Sequence, residues 1–254
     1  MQRSSGPDGV GGSTVAPNMF GTSSAADIGD VTDDWAHHFH AHHSYPAGIE
    51  LFAQGSLLHE VYWLAEGLVK LVYVDEDGRE RILDLRVPGQ LIGAALVFLR
   101  LPSPVSAVTV TRCRLQYMSD VEFARRVESD ERLSWKVHEI QGLEVYGQFQ
   151  RMAELSTGSS RLRLERFLSQ IAQACPALTN GRFQLPLKRC ELAQLLAVTP
   201  EHLSRLFKRL CEEGVIAFEK GWLKIRDARR LASTSPAVAP RTWLEGHSTN
   251  RLSA

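Results

Sequence analysis

Between residues 45 and 118, short apolar runs alternate with turn residues. The runs are rich in Val, Leu, Ile and Tyr and cover Ile49–Ala53, Glu60–Ala65, Leu68–Val74, Glu80–Arg86 and Ser106–Met118. Short strands at such even spacing are typical of a jelly roll or a small barrel. Asp77-Gly78 predicts a tight hairpin between two of them, because glycine readily adopts the positive φ that the turn needs.

Helical periodicity follows the β pattern. Ser119 and Glu122 have the spacing of a capping box and predict a short helix. Ser129 or Asp130 can cap a second, longer helix that reaches about Leu155. Its apolar positions alternate three and four residues apart, as in a coiled-coil seam. We call these positions the seam: Trp135, His138, Gly142, Val145, Phe149 and Met152.

The long helix carries a second apolar face over its first half, at Leu133, Val137 and Ile140. A helix of about 25 residues extends about 38 Å, which is more than a β-roll of this size can cover. We therefore expect one face to pack on the β domain and the seam to pack on a second copy of the chain. Burial of both faces within one monomer is the alternative.

The segment from residue 187 to 225 has the pattern of a winged helix-turn-helix. Lys188–Leu196 is a short amphipathic helix, and the next helix begins at Thr199-Pro200-Glu201. Thr is a good N-cap, Pro fits the first turn, and Glu is favoured there by the helix dipole. Gly214 is expected to end this helix. Two short strands then form the wing, at Val215–Phe218 and Trp222–Ile225.

The second helix of this motif has the side chains to read DNA. A buried stripe at Leu203, Leu206, Phe207 and Leu210 would turn the polar residues outward. Arg205 can bond O6 and N7 of guanine, and Glu201 can accept from cytosine N4. The expected DNA contacts are Thr199, Pro200, Glu201, His202, Ser204, Arg205, Lys208, Lys188, Arg189 and Lys220, of which the three lysines and Arg189 suit phosphates. The alternative is a solvated helix with an i,i+4 ion pair between Glu201 and Arg205.

Charge is distributed unevenly along the chain. The 29 Lys and Arg balance 29 Asp and Glu, which excludes a surface that is basic throughout. Residues 182–232 nevertheless hold eleven Lys and Arg against six Asp and Glu, as attraction to DNA requires. No apolar run approaches the roughly 18 residues of a membrane span. The four cysteines include no C-x-x-C pair, which excludes a zinc ribbon, argues against a disulfide framework and favours the cytoplasm.

The order of these parts resembles the CAP/FNR (Crp/Fnr) family of bacterial transcription regulators. Three stretches carry the likeness: Leu51-Phe52-x-x-Gly55 with Val61-Tyr62-x-x-x-x-Gly67, then Pro88-Gly89-x-x-Ile92-Gly93, then Glu191-Leu192-Ala193 followed by Thr199-Pro200-Glu201-His202-Leu203-Ser204-Arg205. The resemblance implies an α+β fold: an N-terminal β-roll, a long dimerisation helix and a C-terminal winged helix-turn-helix. It also implies Glu201, Ser204 and Arg205 as base contacts, closest to the FNR branch, and double-stranded DNA with an inverted-repeat operator as the partner of a homodimer. RNA polymerase is a candidate further partner.

The chain departs from the family pattern at the effector pocket, which the resemblance places at Gly93, Ala94, Ser106 and Ala107. Cyclic-nucleotide-binding members have a Glu where this chain has Ala94, and an Arg where it has Val105. A buried phosphate without its charge partner is strongly disfavoured, so cyclic AMP is not expected to bind. Arg100 is the nearest substitute charge. Oxygen-sensing members carry an N-terminal cysteine cluster, whereas this chain has no cysteine before Cys113, so an iron–sulfur cluster is not expected.

A histidine-rich segment, with His37, His38, His40, His42 and His43, is the remaining candidate sensor. Imidazoles can bind a transition metal or a haem iron, which makes haem the other candidate cofactor, with His59 and His138 as further ligands. A polar leader without a ligand is the alternative, so no metal site is assigned. We expect disordered tails at 1–33 and 233–254, a β-roll at 34–128, the dimerisation helix at 129–157 and the DNA-binding domain at 158–232.

The pattern thus predicts a DNA-binding regulator and not an enzyme, with no catalytic residues. Three other functions stay open. The β domain could be a scaffold for a constitutive DNA binder, the histidine segment could belong to a metal-binding sensor or storage protein, and the jelly roll could be an enzyme. The strands offer only His59 as a ligand for a metal enzyme of the last kind.

Overall fold

The structure is a computed structural model that describes Phe39, residues 42–174 and residues 183–233. The expected tails at 1–33 and 233–254 lie outside the described residues, apart from Ser233. Cys175 and three histidines of the histidine-rich segment, His37, His38 and His40, also lie outside them.

The N-terminal half folds into two four-stranded antiparallel sheets. The strands are β1 His43–Tyr45, β2 Glu50–Phe52, β3 Glu60–Glu66, β4 Val69–Val74, β5 Glu80–Arg86, β6 Gln90–Ile92, β7 Ser106–Thr109 and β8 Cys113–Ser119. One sheet has the order β1-β8-β3-β6 and the other β2-β7-β4-β5. The expected hairpin joins β4 to β5, and Gly78 there has a φ of 77°. This is the β-roll that the pattern of apolar runs predicts.

The run Ser106–Met118 forms two strands, which corrects the single strand that its pattern predicts. β7 lies beside β2 and β4, whereas β8 lies beside β1 and β3 in the other sheet. The chain bends between them because the corner is tied down. Val110 N–H donates to Leu68 O at 2.7 Å, and Leu68 N–H donates to Thr111 Oγ1 at 3.0 Å. The prediction also lacks β1 and β6, since three residues are too few to show alternation.

The described chain up to residue 174 has four helices. The first, α1 Ala94–Leu99, lies between β6 and β7, and the others follow β8: α2 Asp120–Ser129, α3 Glu131–Thr157 and α4 Ser160–Ala174. Ser119 caps α2, its Oγ accepting from Glu122 N–H at 3.2 Å. Asp130 caps α3 by accepting from two backbone N–H groups, and Gly158, with a φ of 83°, ends α3. The prediction lacks α1, because its six apolar residues show no helical period.

The C-terminal part is a winged helix-turn-helix. It consists of α5 Arg189–Leu195, α6 Pro200–Glu212, β9 Ile216–Glu219, β10 Trp222–Ile225 and α7 Ala228–Ser233. Gly214, with a φ of 71°, follows the end of α6, as expected. The wing turns at Lys220 and Gly221, both of which have positive φ.

The described residues form three apolar clusters, of which the third consists of residues from both sheets of the β-roll. In the first, Leu133, Val137 and Ile140 of α3 are buried with Trp63 and Phe123, so the second apolar face of the long helix packs on the β domain as expected. In the second, β4 and β5 of the β-roll share a cluster with α4, α5 and α6. The winged helix-turn-helix and α4 therefore pack on a sheet of the β-roll, and α5 lies against β5.

Candidate nucleic-acid interface and ligand cavity

Helix α6 presents one buried face and one exposed face. Thr199 caps it by accepting from His202 N–H at 3.2 Å, with Pro200 in the first turn. The stripe of Leu203, Leu206, Phe207 and Leu210 is buried. On the other side, the side chains of Glu201, Ser204, Arg205, Lys208 and Arg209 are exposed. The helix therefore offers a polar, mainly cationic surface to solvent.

The first turn of α6 holds its acidic residue in the charged form. The pKa of Glu201 is lowered by hydrogen bonds from its own backbone N–H and from the Thr199 hydroxyl, with the positive charge of Arg205 adding to the effect. The Ser204 hydroxyl donates to Pro200 O at 3.0 Å. Glu201 is thus an acceptor at neutral pH, as a contact to cytosine N4 requires.

His202 does not point outward with its neighbours. Its ring is half-buried, and Nε2 lies 2.8 Å from Ser160 Oγ at the start of α4. This contradicts the outward orientation that the helical wheel predicts for His202. The reason is tertiary, since α4 supplies a hydrogen-bond partner on that side of α6.

Of the four residues expected at phosphates, Lys208 lies on the exposed face of α6 and the other three lie outside that helix. Lys188 and Arg189 lie at the start of α5, Lys208 lies on α6, and Lys220 lies at the tip of the wing; all four are exposed. The Arg189 guanidinium lies 5.2 Å from the ring centroid of Phe207 and 5.4 Å from that of Phe218. These cation–π contacts hold its charge near the base of the wing.

The seam of α3 is exposed over most of its length. Trp135 is 67% exposed, Phe149 65% and Met152 62%, while Val145 and Gly142 are also exposed. The His138 ring is exposed as well, and its Nδ1 bonds Ser134 O of the same helix at 2.7 Å. A row of large apolar side chains in solvent marks an interaction surface.

A cavity of about 190 Å³ lies between the β-roll and α3. Gly93 and Ala94 line it, as does Val105. The two other expected pocket residues do not line it: Ser106 is buried with its Oγ accepting from Gln54 N–H at 2.9 Å, and Ala107 is buried in the sheet. Of the four positions expected at an effector pocket, two line this cavity and two do not.

The positive charge at this cavity belongs to Arg86. Arg100 does not line the cavity, and its side chain is exposed. Arg86 Nη1 donates to Glu144 Oε1 of α3 at 2.8 Å, and Nη2 lies 3.5 Å from Asp84 Oδ2. Burial raises the pKa of Asp84 and of Glu144, although the arginines oppose the shift. Arg151 extends the cluster, with Nη1 3.5 Å from Asp84 Oδ1 and Nη2 donating to Leu195 O of α5 at 3.3 Å.

Sequence reasoning misses this buried charge cluster of Asp84, Arg86, Glu144 and Arg151. The available signal is Asp84 and Arg86, two charges that alternate with Leu83 and Leu85 in the second half of the strand Glu80–Arg86. Alternation assigns such residues to a solvent face. The packing of α3 and α5 over that end of the strand turns the face into an interior.

The candidate metal ligands are not gathered in the described part of the chain. His42 Nε2 lies 3.4 Å from Gln116 Nε2, and the His43 ring packs edge-on against Tyr117. His59 is exposed, 3.7 Å from Asp120. Among the described residues, no group of three or more His, Cys, Asp and Glu side chains could hold a metal ion. Within the same ranges, no helix is long and apolar enough to cross a membrane.

Comparison with known proteins agrees with both halves of the fold. Residues 42–130 match the family model of the cyclic nucleotide-binding domain, and residues 162–234 match that of the Crp-like helix-turn-helix domain. A cyclic AMP receptor protein of Thermus thermophilus is 28% identical over 197 residues, which cover 77% of this chain and 88% of that protein. The nitrogen fixation regulation protein FixK of Bradyrhizobium diazoefficiens is 25% identical, with coverage of 76% and 81%.

Solved structures share the architecture. FixK2 of Bradyrhizobium japonicum superposes with a TM-score of 0.65 at 20% identity, covering 78% of this chain and 98% of that one. A CRP/FNR family transcriptional regulator of Thermus thermophilus superposes with a TM-score of 0.61 at 22% identity, covering 76% and 97%. FixK is named as a regulation protein, and the second of these structures as a transcriptional regulator. With a cyclic nucleotide-binding domain followed by a Crp-like helix-turn-helix domain, the chain belongs to the Crp/Fnr family of transcription regulators.

Proposed function

We propose that this chain is a homodimeric, sequence-specific DNA-binding regulator of the cytoplasm, whose β-roll is a sensor that does not respond to cyclic nucleotides. The observation that carries the DNA-binding role is the exposed face of α6, with Glu201, Ser204 and Arg205 along one side above a buried apolar stripe. We retain the division into a β-roll at 34–128, a dimerisation helix at 129–157 and a DNA-binding domain at 158–232.

Roles on the DNA follow from position along α6. The N-terminal residues of a recognition helix lie deepest in the major groove. Arg205 and Glu201, one turn apart on the exposed face, would read a G·C pair or two adjacent pairs. Lys208 lies farther along the helix, and Lys188, Arg189 and Lys220 lie outside it, so these four would contact phosphates.

His202 is reassigned by its contact with Ser160. Because its ring is half-buried against the start of α4, we propose that it positions the recognition helix instead of contacting a base. Ser160 lies two residues after Gly158, where α3 ends. The contact therefore joins the recognition helix to the segment through which the long helix acts.

The homodimer rests on the exposed seam. Its large side chains lie in solvent at Trp135, Val145, Phe149 and Met152, while the second apolar face of α3 is already buried. A second copy of the same helix would bury them, with exposed Gly142 allowing close approach of the two backbones. Two copies related by a two-fold axis would place two recognition helices about one DNA turn apart.

A direct set of contacts supports a relay from sensor to DNA-binding head. Lys70 of β4 bonds Glu191 of α5 at 2.6 Å, and Arg151 of α3 bonds both Asp84 of β5 and Leu195 O of α5. The β-roll, the long helix and the first helix of the DNA-binding motif thus share one set of polar contacts. A change in the β-roll would shift the head through them.

The cavity walls support a response to something other than cyclic nucleotides. Ala94 is buried and Val105 lines the cavity, at the positions where the family pattern has its ribose-binding Glu and its phosphate-binding Arg. Arg86 lies in the cavity but is already paired with Glu144 and Asp84. A phosphate there would lack a free cation, and burying it would be costly.

Selection of binding sites from random double-stranded DNA with the purified full-length protein tests this function. The expected product is an inverted repeat with half-site centres roughly 10–11 bp apart. Each half-site would contain a G·C pair and, by resemblance to the family, look like TTGAT or TGTGA. Recovery of no enriched site would refute sequence-specific binding, and a single non-palindromic site would refute the dimer.

A further inference from the structure

The cavity between the β-roll and α3 has a definable chemistry of its own. We infer that it binds a small uncharged molecule with an apolar body and a carbonyl-type acceptor oxygen, held by Arg86 and Gln141. This inference rests on the proposed sensor role of the β-roll. It names the class of effector, which neither the family model nor the relatives supply.

Charge balance excludes an anion from this cavity. Of the described residues that line it, Arg86 and Glu144 alone are charged, and they pair with each other at 2.8 Å. Arg86 also lies 3.5 Å from Asp84, and Asp84 in turn from Arg151, so two acids meet two bases. A bound carboxylate or phosphate would add an uncompensated charge to an interior that is already neutral, which is strongly unfavourable.

Two hydrogen-bond donors at the cavity lack acceptors. Arg86 Nε and Gln141 Nε2 are buried, and neither has a hydrogen-bond partner among the described residues. Both residues line the cavity. A buried donor without an acceptor is costly, and polar groups in this situation mark a missing ligand or water. The carbonyl oxygen of a ketone, ester or amide has two lone pairs and is the kind of acceptor that such N–H donors lack.

Size and walls define the rest of the molecule. The cavity volume is about 190 Å³, smaller than the roughly 300–1,000 Å³ of pockets for drug-sized ligands. Its walls are largely apolar, with Phe52, Leu71, Leu91, Ile92, Ala94 and Val105 among them. A compact molecule with one small ring or a short alkyl chain, and a single polar end, fits both features.

Matched probes test the inference on the full-length protein without DNA. Phenylacetamide, phenylacetate and ethylbenzene share a ring and differ in their polar end; 2-heptanone, hexanoate and n-heptane form a second set with a chain in place of the ring. Binding is measured by ligand-observed NMR and calorimetry. We expect the amide and the ketone to bind about tenfold or more tightly than the anion or hydrocarbon of the same set.

A variant assigns the binding to the cavity. Gln141→Leu keeps the side-chain size and removes one donor, and it spares the Arg86–Glu144 ion pair, whose disruption would endanger folding. It should weaken the amide or ketone about tenfold while leaving hydrocarbon binding unchanged. The control Gln194→Leu, at an exposed position of α5, should change neither. A melting temperature equal to that of the wild type shows that the variant is folded.

Several results would overturn the inference. Tighter binding of the anions would show that the charge argument is wrong. Equal binding of the hydrocarbons would show that water, and not a ligand, satisfies the two donors. No binding of either carbonyl probe at millimolar concentration would show that the cavity does not take this class. Binding of the wild type to its selected DNA is measured separately, so that a failure of this inference can be told apart from a failure of the proposed function.

Discussion

Arg205→Ala removes the side chain that we expect to read guanine. Arg205 is exposed, and no carboxylate of the described residues lies within 4 Å of its guanidinium in an ion pair. Its interaction with exposed Glu201 is screened by water and contributes little to stability. The substitution should therefore leave the folded protein intact, and its effect should fall on the complex with DNA.

The magnitude follows from the contact and the symmetry. A bidentate contact from arginine to guanine contributes about 1–3 kcal/mol to discrimination against the wrong base. The proposed dimer makes the contact twice, so the loss at the operator should be about 2–6 kcal/mol, or roughly 30-fold to 10⁴-fold in Kd. Preference at that base pair should relax, while the other positions of the half-site keep theirs.

Lys208→Ala is the matched control on the same helix. Lys208 is exposed and lies 3.8 Å from Glu212, so its removal also leaves the fold unperturbed. As a phosphate contact it should weaken binding to all sequences alike and lower the salt slope by about one per half-site. Fluorescence anisotropy with the selected operator, a version substituted at the guanine, and scrambled DNA, each at several salt concentrations, separates the two effects. If Arg205→Ala weakens operator and scrambled DNA equally, Arg205 binds phosphate and the base-reading assignment is wrong.

Three further predictions concern assembly, the effector and pH. Val145→Glu and Phe149→Glu should each give monomers that bind the operator weakly, because the new charge would be desolvated at the seam. The control Gln150→Glu lies about 100° around the helix from Phe149 and should stay dimeric. Sedimentation that showed dimers for all three variants would mean that the dimer contact lies on another face of α3. Cyclic AMP and cyclic GMP should show weak or no binding by calorimetry, and micromolar affinity for either would refute the argument from the missing polar anchors. Burial acts to raise the pKa of Glu191, but hydrogen bonds from the Lys70 side chain and the Lys188 backbone lower it overall. The stabilisation is therefore present above the unfolded value of about 4.5 and lost as pH falls through the folded pKa. Urea unfolding across this range should show a smaller loss for Glu191→Gln than for the wild type, and equal losses would show that this carboxylate is not linked to folding.

Local signals in the sequence were sufficient for α2, α3 and α6 and for the exposed face of α6. The caps at Ser119, Asp130 and Thr199 depend on neighbours within three residues, so a reading of consecutive residues identifies them. The same holds for the seam of α3 and for the buried stripe of α6, whose helical spacing alone separates one face from the other. These elements were predicted with boundaries within two residues of those in the structure.

Tertiary structure decided the features that join distant residues. Arg86 and Glu144 are 58 positions apart, and Asp84 and Arg151 are 67 apart, so no periodicity can reveal that they meet beside a cavity. His202 turns inward because α4 offers Ser160 as a partner 42 positions away. The bend between β7 and β8 likewise depends on Leu68 of the neighbouring strand connection. The sequence pattern determines which apolar side chains leave water, because burial of apolar groups drives folding. The charged side chains that are enclosed with them depend on which helices and strands pack together. That packing exists only once the whole chain has folded.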